Sequence, residues 1–175
     1  MKKVALYITL FCVLLFFTGC GESLDHSLFH IKTDEEIADQ TMRDVIDGIC
    51  EKDSSKIVEL FAENIADSAD FSKEATRFIE FFDGEIISFS VPSRIGITSE
   101  KQVENGMTEK YIWAVSTVNT TNGTYHIEIK ECTKDERDRK NKGVTVICII
   151  NSKDFQENCV YRCNCEKEDG IHIVE

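Results

Sequence analysis

Four side chains near the C-terminus have the types and spacing to hold a metal. Cys159-x-x-x-Cys163-x-Cys165 together with His172 offers three thiolates and an imidazole, enough to surround zinc tetrahedrally. The run lacks the Cys-x-x-Cys knuckles of common structural zinc sites, and its thiols have two other fates. Cys159 can bridge to Cys163 or Cys165, leaving an odd thiol, or all three can stay as plain structural thiols. The sequence leaves these alternatives open, and zinc is the one cofactor it brings into view. His172 sits between Ile171 and Ile173 and reads equally as a sheet residue. His26 and His30, four apart, lack an acidic or cysteine partner at matching spacing and read as linker.

Signatures of hydrolytic or phosphate chemistry are missing: there is no Gly-x-Ser-x-Gly, no His-Glu-x-x-His and no phosphate-cradling glycine loop. If a cavity does chemistry here, Tyr111, Trp113, Tyr125 and His126 are the side chains to inspect. Tyr111, Trp113 and Tyr125 are expected to fill the core. His126 is expected on the face opposite its apolar neighbours.

A different chemistry is written at the N-terminus. Lys2 and Lys3 precede an almost unbroken apolar run from Val4 to Phe17, and Thr18-Gly19-Cys20 follows. A run of about 14 residues is short for a transmembrane helix, which needs about 20, and suits a signal peptide. The ending resembles a lipobox: small residues admit the peptidase, and the Cys20 thiol forms the thioether to lipid. The expected organisation is a signal peptide over 1–19, a lipidated Cys20 with a tether over 20–32, and one domain over 33–175. The tether spans on the order of 40 Å when extended. The expected location is the outer, extracytoplasmic face of the cell membrane, held by palmitate-type acyl chains.

Charge narrows the partners. The chain carries a net charge of −12, with 32 acidic residues against 20 basic ones, two of which lie in the signal. Such a surface repels phosphate backbones and anionic headgroups, which argues against nucleic acid. The membrane is therefore held by lipid alone, for which two acyl chains suffice. Cys50, Cys132 and Cys148 look like small core residues.

The elements that must position these residues are readable in turn. Thr33 to Glu36 matches a capping box, and Ile37, Thr41, Val45, Ile46 and Ile49 mark one face of a first helix. Asp53 can cap a short second helix through Phe61. Asn64–Asp70 reads as a turn and Asp70 as the cap of a third helix, Phe71–Phe82, with Gly84 just beyond its end. The period then changes to two. Glu85–Ser90 is a short strand, and another is expected around Arg94–Thr98 within a longer connection. Met107–Val118 and Thr124–Cys132 pair through Asn119–Gly123, whose Asn-Gly is expected to supply positive φ. Thr133–Lys142, dense in both charges, reads as a solvated loop. Gly143–Ile150, apolar on both faces, reads as a central strand, and Ile171–Val174 as an edge strand.

Three helices followed by about four strands predict an α+β domain, with the helices packed on one face of an antiparallel sheet. That order resembles the cystatin-like, nuclear transport factor 2-like fold, which implies that the sheet is curved. More closely it resembles a family of uncharacterised Gram-positive lipoproteins built on it. The resemblance runs from Ile37 onward through Gly48-Ile49-Cys50-Glu51-Lys52-Asp53-Ser54-Ser55, Leu60-Phe61-Ala62-Glu63-Asn64 and Phe81-Phe82-Asp83-Gly84-Glu85-Ile86-Ile87-Ser88. It continues at Gly143-Val144 and Gly170-Ile171-His172-Ile173. It implies a sheet wrapped around the first helix, a cone-shaped cavity and no assigned activity. The segment between Ser152 and Asp169 departs from the pattern.

The expected function is that of a non-enzymatic, membrane-anchored module that binds a small ligand, a peptide or an envelope protein. Two alternatives stand beside it. One is a small cavity enzyme of lyase, isomerase or hydrolase type. The other is an accessory or immunity-type envelope lipoprotein acting through its acidic surface.

Overall fold

The computed structural model of the protein describes residues 31–92, 97–153 and 168–174. Helix α1 (Asp34–Glu51) starts as its sequence dictates: Thr33 Oγ1 accepts from the Glu36 amide at 3.2 Å, and the Glu36 carboxylate accepts from the Thr33 amide at 2.7 Å. It ends at Lys52, whose left-handed backbone returns its amide to the Gly48 and Ile49 carbonyls. Asp53 caps α2 (Ser54–Leu60) by accepting from the Ser55 amide.

Two corrections follow along the helices. The stretch read as a turn contains a short helix, α3 (Glu63–Ala66), so the described residues hold four α-helices rather than three. Helix α4 (Phe71–Glu80) has no side-chain cap from Asp70, which pairs with Lys73 instead.

The sheet has six strands, not four: β1 (Ile86–Phe89), β2 (Ile97–Glu104), β3 (Met107–Thr120), β4 (Thr124–Asp135), β5 (Gly143–Asn151) and β6 (Gly170–Val174). Strands β1 and β2 lie end to end on the same edge of β3. Ile86 faces Thr120 and Phe89 faces Val118, while Ile97 faces Ala114 further along. Together they behave as one edge strand interrupted between Phe89 and Ile97. From β3 the order continues through β4 and β5 to β6. The wholly antiparallel sheet expected from the sequence fails at β6, which lies parallel to β5. A parallel neighbour cannot be joined by a tight turn and needs a crossover. The connection between the two strands runs through residues 154–167, which lie outside the described residues.

The turn chemistry also sits elsewhere than expected. Positive φ occurs at Asn105 (53°) and Gly106 (78°), which form the two-residue connection of β2 to β3, and not at Asn122–Gly123. The β3–β4 turn is held by a side chain instead. Thr120 Oγ1 accepts from the Gly123 amide at 3.0 Å and the Asn122 amide at 3.2 Å. The charged loop after β4 is ordered by Asp135. Its carboxylate accepts from the Arg137 and Asp138 amides and from Asn141 Nδ2, and these bonds hold it below the usual carboxylate range.

The core lies between one face of the sheet and helices α1, α2 and α4. Met42, Val45, Ile46 and Ile49 of α1, Phe71 and Phe78 of α4, and Ile57 of α2 meet Ile112, Ala114 and Val118 of β3, Ile127 and Ile129 of β4, and Ile147 and Ile149 of β5. Burying side chains of this size contributes about 1.5–3 kcal/mol each. Residue 37 is only partly buried, and the helix face is carried by Ala38 and Met42 as much as by the expected residues. At one point the backbones themselves meet. Phe61 forms a parallel bridge to Val144, and the Ala62 amide donates to the Val144 carbonyl at 2.9 Å. Gly143 makes that approach possible: its φ is +128°, and a Cβ there would stand 2.9 Å from the Ala62 nitrogen.

Candidate functional site

The segment between α4 and β1 builds a groove. Phe81 caps α4, and Asp83, Gly84 and Glu85 are then clasped onto the β3–β4 turn. Thr120 Oγ1 donates to the Asp83 carbonyl at 2.6 Å, Asn122 Nδ2 donates to the Asp83 carboxylate, and Glu85 and Thr121 exchange bonds in both directions. The Asp83 amide donates to the Tyr125 hydroxyl at 2.9 Å, and that ring packs against Phe81 and Phe82. Gly84 (φ +86°) lets the chain pass over Thr121, whose hydroxyl would lie 2.3 Å from a Cβ. The run Phe81 to Ser88 thus owes its pattern to this clasp.

The clasp fixes one wall of a groove of about 560 Å³ lined by Ile49, Cys50, Lys52, Ile79, Phe82, Gly84, Glu85 and Ile86. A second hollow of about 320 Å³ shares Lys52, Ile79 and Phe82 and continues past Ser54, Thr76 and Glu80. Ile49 and Ile79 are buried at its floor, Phe82 and Ile86 are half-buried, and Cys50, Lys52 and Glu85 are exposed at the rim. A floor of branched and aromatic carbon with a few polar groups at its edge is the usual make-up of a small-molecule site, and the volume is in range. Cys50 was expected inside the core and is exposed, because it falls one residue past the buried Ile49 on the turning helix. Burial, with Asp47 and Glu51 adding negative charge, pushes its thiol up.

The other candidates from the sequence lie elsewhere. Tyr125 is in the helix-covered core. Trp113 is buried, as expected, and Tyr111 is half-buried, but neither belongs to the helix-covered core. They lie on the outer face of the sheet, since the alternate residues Ile112 and Ala114 face the helices. Lys130 stands over both rings, with Nζ 4.8 Å from the Tyr111 centroid and 5.2 Å from that of Trp113. Burial pushes the Tyr111 phenol up to about 12, with smaller contributions from Cys132 and Glu109. His126 is on the outer face as expected, between Thr117 Oγ1 (3.1 Å) and Ser152 Oγ (2.9 Å). Cys132 and Cys148 are buried, the latter on the outer face of β5.

His172 is opposed to Cys148 in the β5–β6 pairing, and its Nε2 donates to the Glu168 carbonyl at 2.9 Å. Cys159, Cys163 and Cys165 lie outside the described residues, as does Cys20. Among the described residues no three His, Cys, Asp or Glu side chains are grouped to hold a metal. Among them, too, no helix is long and apolar enough to cross a membrane. The groove was missed in the sequence because its residues come from three separated elements. Only the Phe-Phe-Asp-Gly-Glu run hinted at it.

No curated protein matches the chain. One family does, over residues 44–152, from the second half of α1 to just past the end of β5, which takes in the groove's lining together with Thr117, His126 and Ser152. Matched over more than half its length, the chain belongs to the family described as Domain of unknown function (DUF5104).

Proposed function

We propose that the protein is a membrane-tethered, extracytoplasmic binding module whose groove beside α4 takes a small apolar ligand with one polar end. The groove carries this reading. Ile49, Ile79, Phe82 and Ile86 supply an apolar floor, and Lys52 and Glu85 place opposite charges at its rim. The described helix and strand order supports the cystatin-like, nuclear transport factor 2-like fold as the frame. Lys2, Lys3, the apolar run to Phe17 and Thr18-Gly19-Cys20 support lipid on Cys20 as the tether.

Cys50 makes the groove testable. The full chain in mild detergent is treated with iodoacetamide in alkaline buffer, because the Cys50 thiol is held above its ordinary range. Alkylation of the Cys50 peptide is followed by mass spectrometry with and without 1-anilinonaphthalene-8-sulfonate. Protection of Cys50 by the dye, lost in Ile86→Asp, supports the groove. Equal alkylation in both, with no organic mass on the chain isolated from membranes, rejects it. For the tether, Cys20→Ser is expected to move the protein out of the membrane fraction.

A further inference from the structure

Away from the groove, three hydroxyl and imidazole side chains line up across the outer face of the sheet. Thr117 of β3 and His126 of β4 are opposed partners in their pairing, and Thr117 Oγ1 stands 3.1 Å from His126 Nδ1. On its other side His126 Nε2 stands 2.9 Å from Ser152 Oγ, just past the end of β5. His126 is opposed to Ile150 in the β4–β5 pairing, so the register that seats the ring also delivers residue 152 to its far nitrogen. All three side chains are half-buried, held in place yet open to solvent.

The two contacts fit either neutral tautomer of the ring, and one of the two suits nucleophile activation. When Ser152 donates to Nε2, the proton of the neutral imidazole is on Nδ1 and is donated to Thr117 Oγ1. Burial lowers the basicity of His126, which favours the neutral form of the ring. A hydroxyl bonded to an imidazole whose second nitrogen is fixed by a third group is the arrangement that activates a serine.

We propose that Ser152 is a nucleophile, with His126 as its general base and Thr117 as a positioning residue, toward small activated acyl esters. Ser152 Oγ forms a bond to the acyl carbon as its proton passes to His126 Nε2. The tetrahedral adduct collapses, the ester C–O bond breaks, and the leaving alkoxide takes the proton from Nε2. Water then attacks the acyl-serine, its proton passing to Nε2. The C–Oγ bond breaks, and Ser152 recovers that proton as the carboxylic acid leaves. Thr117 holds the tautomer without a charge, so the reaction is slower than where a carboxylate fills that place.

The full chain in detergent is treated with a fluorophosphonate probe, in which Ser152 Oγ displaces fluoride, and the adduct is located by peptide mass spectrometry. Ser152 is expected to be labelled far faster than the exposed Ser72 on α4. His126→Gln is expected to slow the labelling by about 100-fold or more. With p-nitrophenyl acetate, Thr117→Val lowers kcat several-fold at unchanged KM, and Thr117→Ser restores it. Should Ser152→Ala not fold, His126→Gln decides. No adduct at Ser152, a rate equal to that of Ser72, or undiminished labelling in His126→Gln overturns the proposal.

Discussion

The two faces of β3 and β4 share one backbone and carry different chemistry, whereas β5 is largely apolar and buried on both. On the inner face Ala114, Val118, Ile127, Ile129, Ile147 and Ile149 are apolar and sealed by α1, α2 and α4. On the outer face the alternate positions carry Trp113 and Lys130 in contact, and Thr117 and His126 in contact. Strand alternation lets one element serve two purposes at once. The inner face specifies the fold by volume and shape; the outer face also buries Trp113, Val146, Cys148 and Ile150, and on β3 and β4 it holds hydrogen-bonded and charged groups at fixed spacing.

This division sets the order of expected mutational effects. Phe78→Ala empties a fully buried site between α4 and the sheet and is expected to cost about 4 kcal/mol, read by denaturant unfolding. A cost near that of an outer-face substitution would dissolve the distinction. Gly143→Ala is next, at about 2–3 kcal/mol, because the left-handed backbone and the Leu60–Ala62 backbone both resist a Cβ. On the outer face, Lys130→Ala removes the cation from above Tyr111 and Trp113 and is expected to lower stability by only about 1 kcal/mol.

The smallest effect has the opposite sign and sharpens the contrast. Glu131 accepts from Thr41 Oγ1 at 2.6 Å beneath α1, and burial pushes its carboxyl up despite that bond. A carboxyl raised on folding favours the native state in its neutral form. That contribution is complete below the ordinary value of 4.5 and is lost as pH rises through the folded value. Glu131→Gln is therefore expected to match or exceed the wild type at pH 7, by up to about 1 kcal/mol, and to lose that advantage in acid. Thermal unfolding at two pH values reads it.

Local rules carried the sequence reading a long way. The capping box at Thr33, the stripe on α4 and the inward Tyr125, Ile127 and Ile129 of β4 are each decided by residues a few positions apart, and they stand in the structure, although Glu128 between them is buried as well. What failed depended on partners far along the chain. Trp113 is buried and Tyr111 half-buried, but on the face of β3 away from the helices, and which face meets the helices is settled by α1 and α4. Asn122–Gly123 has turn residues, but Thr120 and the clasp to Asp83 fix its backbone, and the positive-φ turn formed at Asn105–Gly106. Ser152 could not be linked to His126 without the β4–β5 register.

The bridge between Phe61 and Val144 ties the end of the helical half to a strand that is made much later in the chain. Everything from α3 to β4 forms the loop that this contact closes. Closing a long loop is entropically costly and is repaid only when the surrounding pairings exist. The Ala62 amide, bonded to the Val144 carbonyl, is thus placed to form late in folding. In native hydrogen exchange it should open only when the whole molecule does, which makes it a single-residue gauge of global stability.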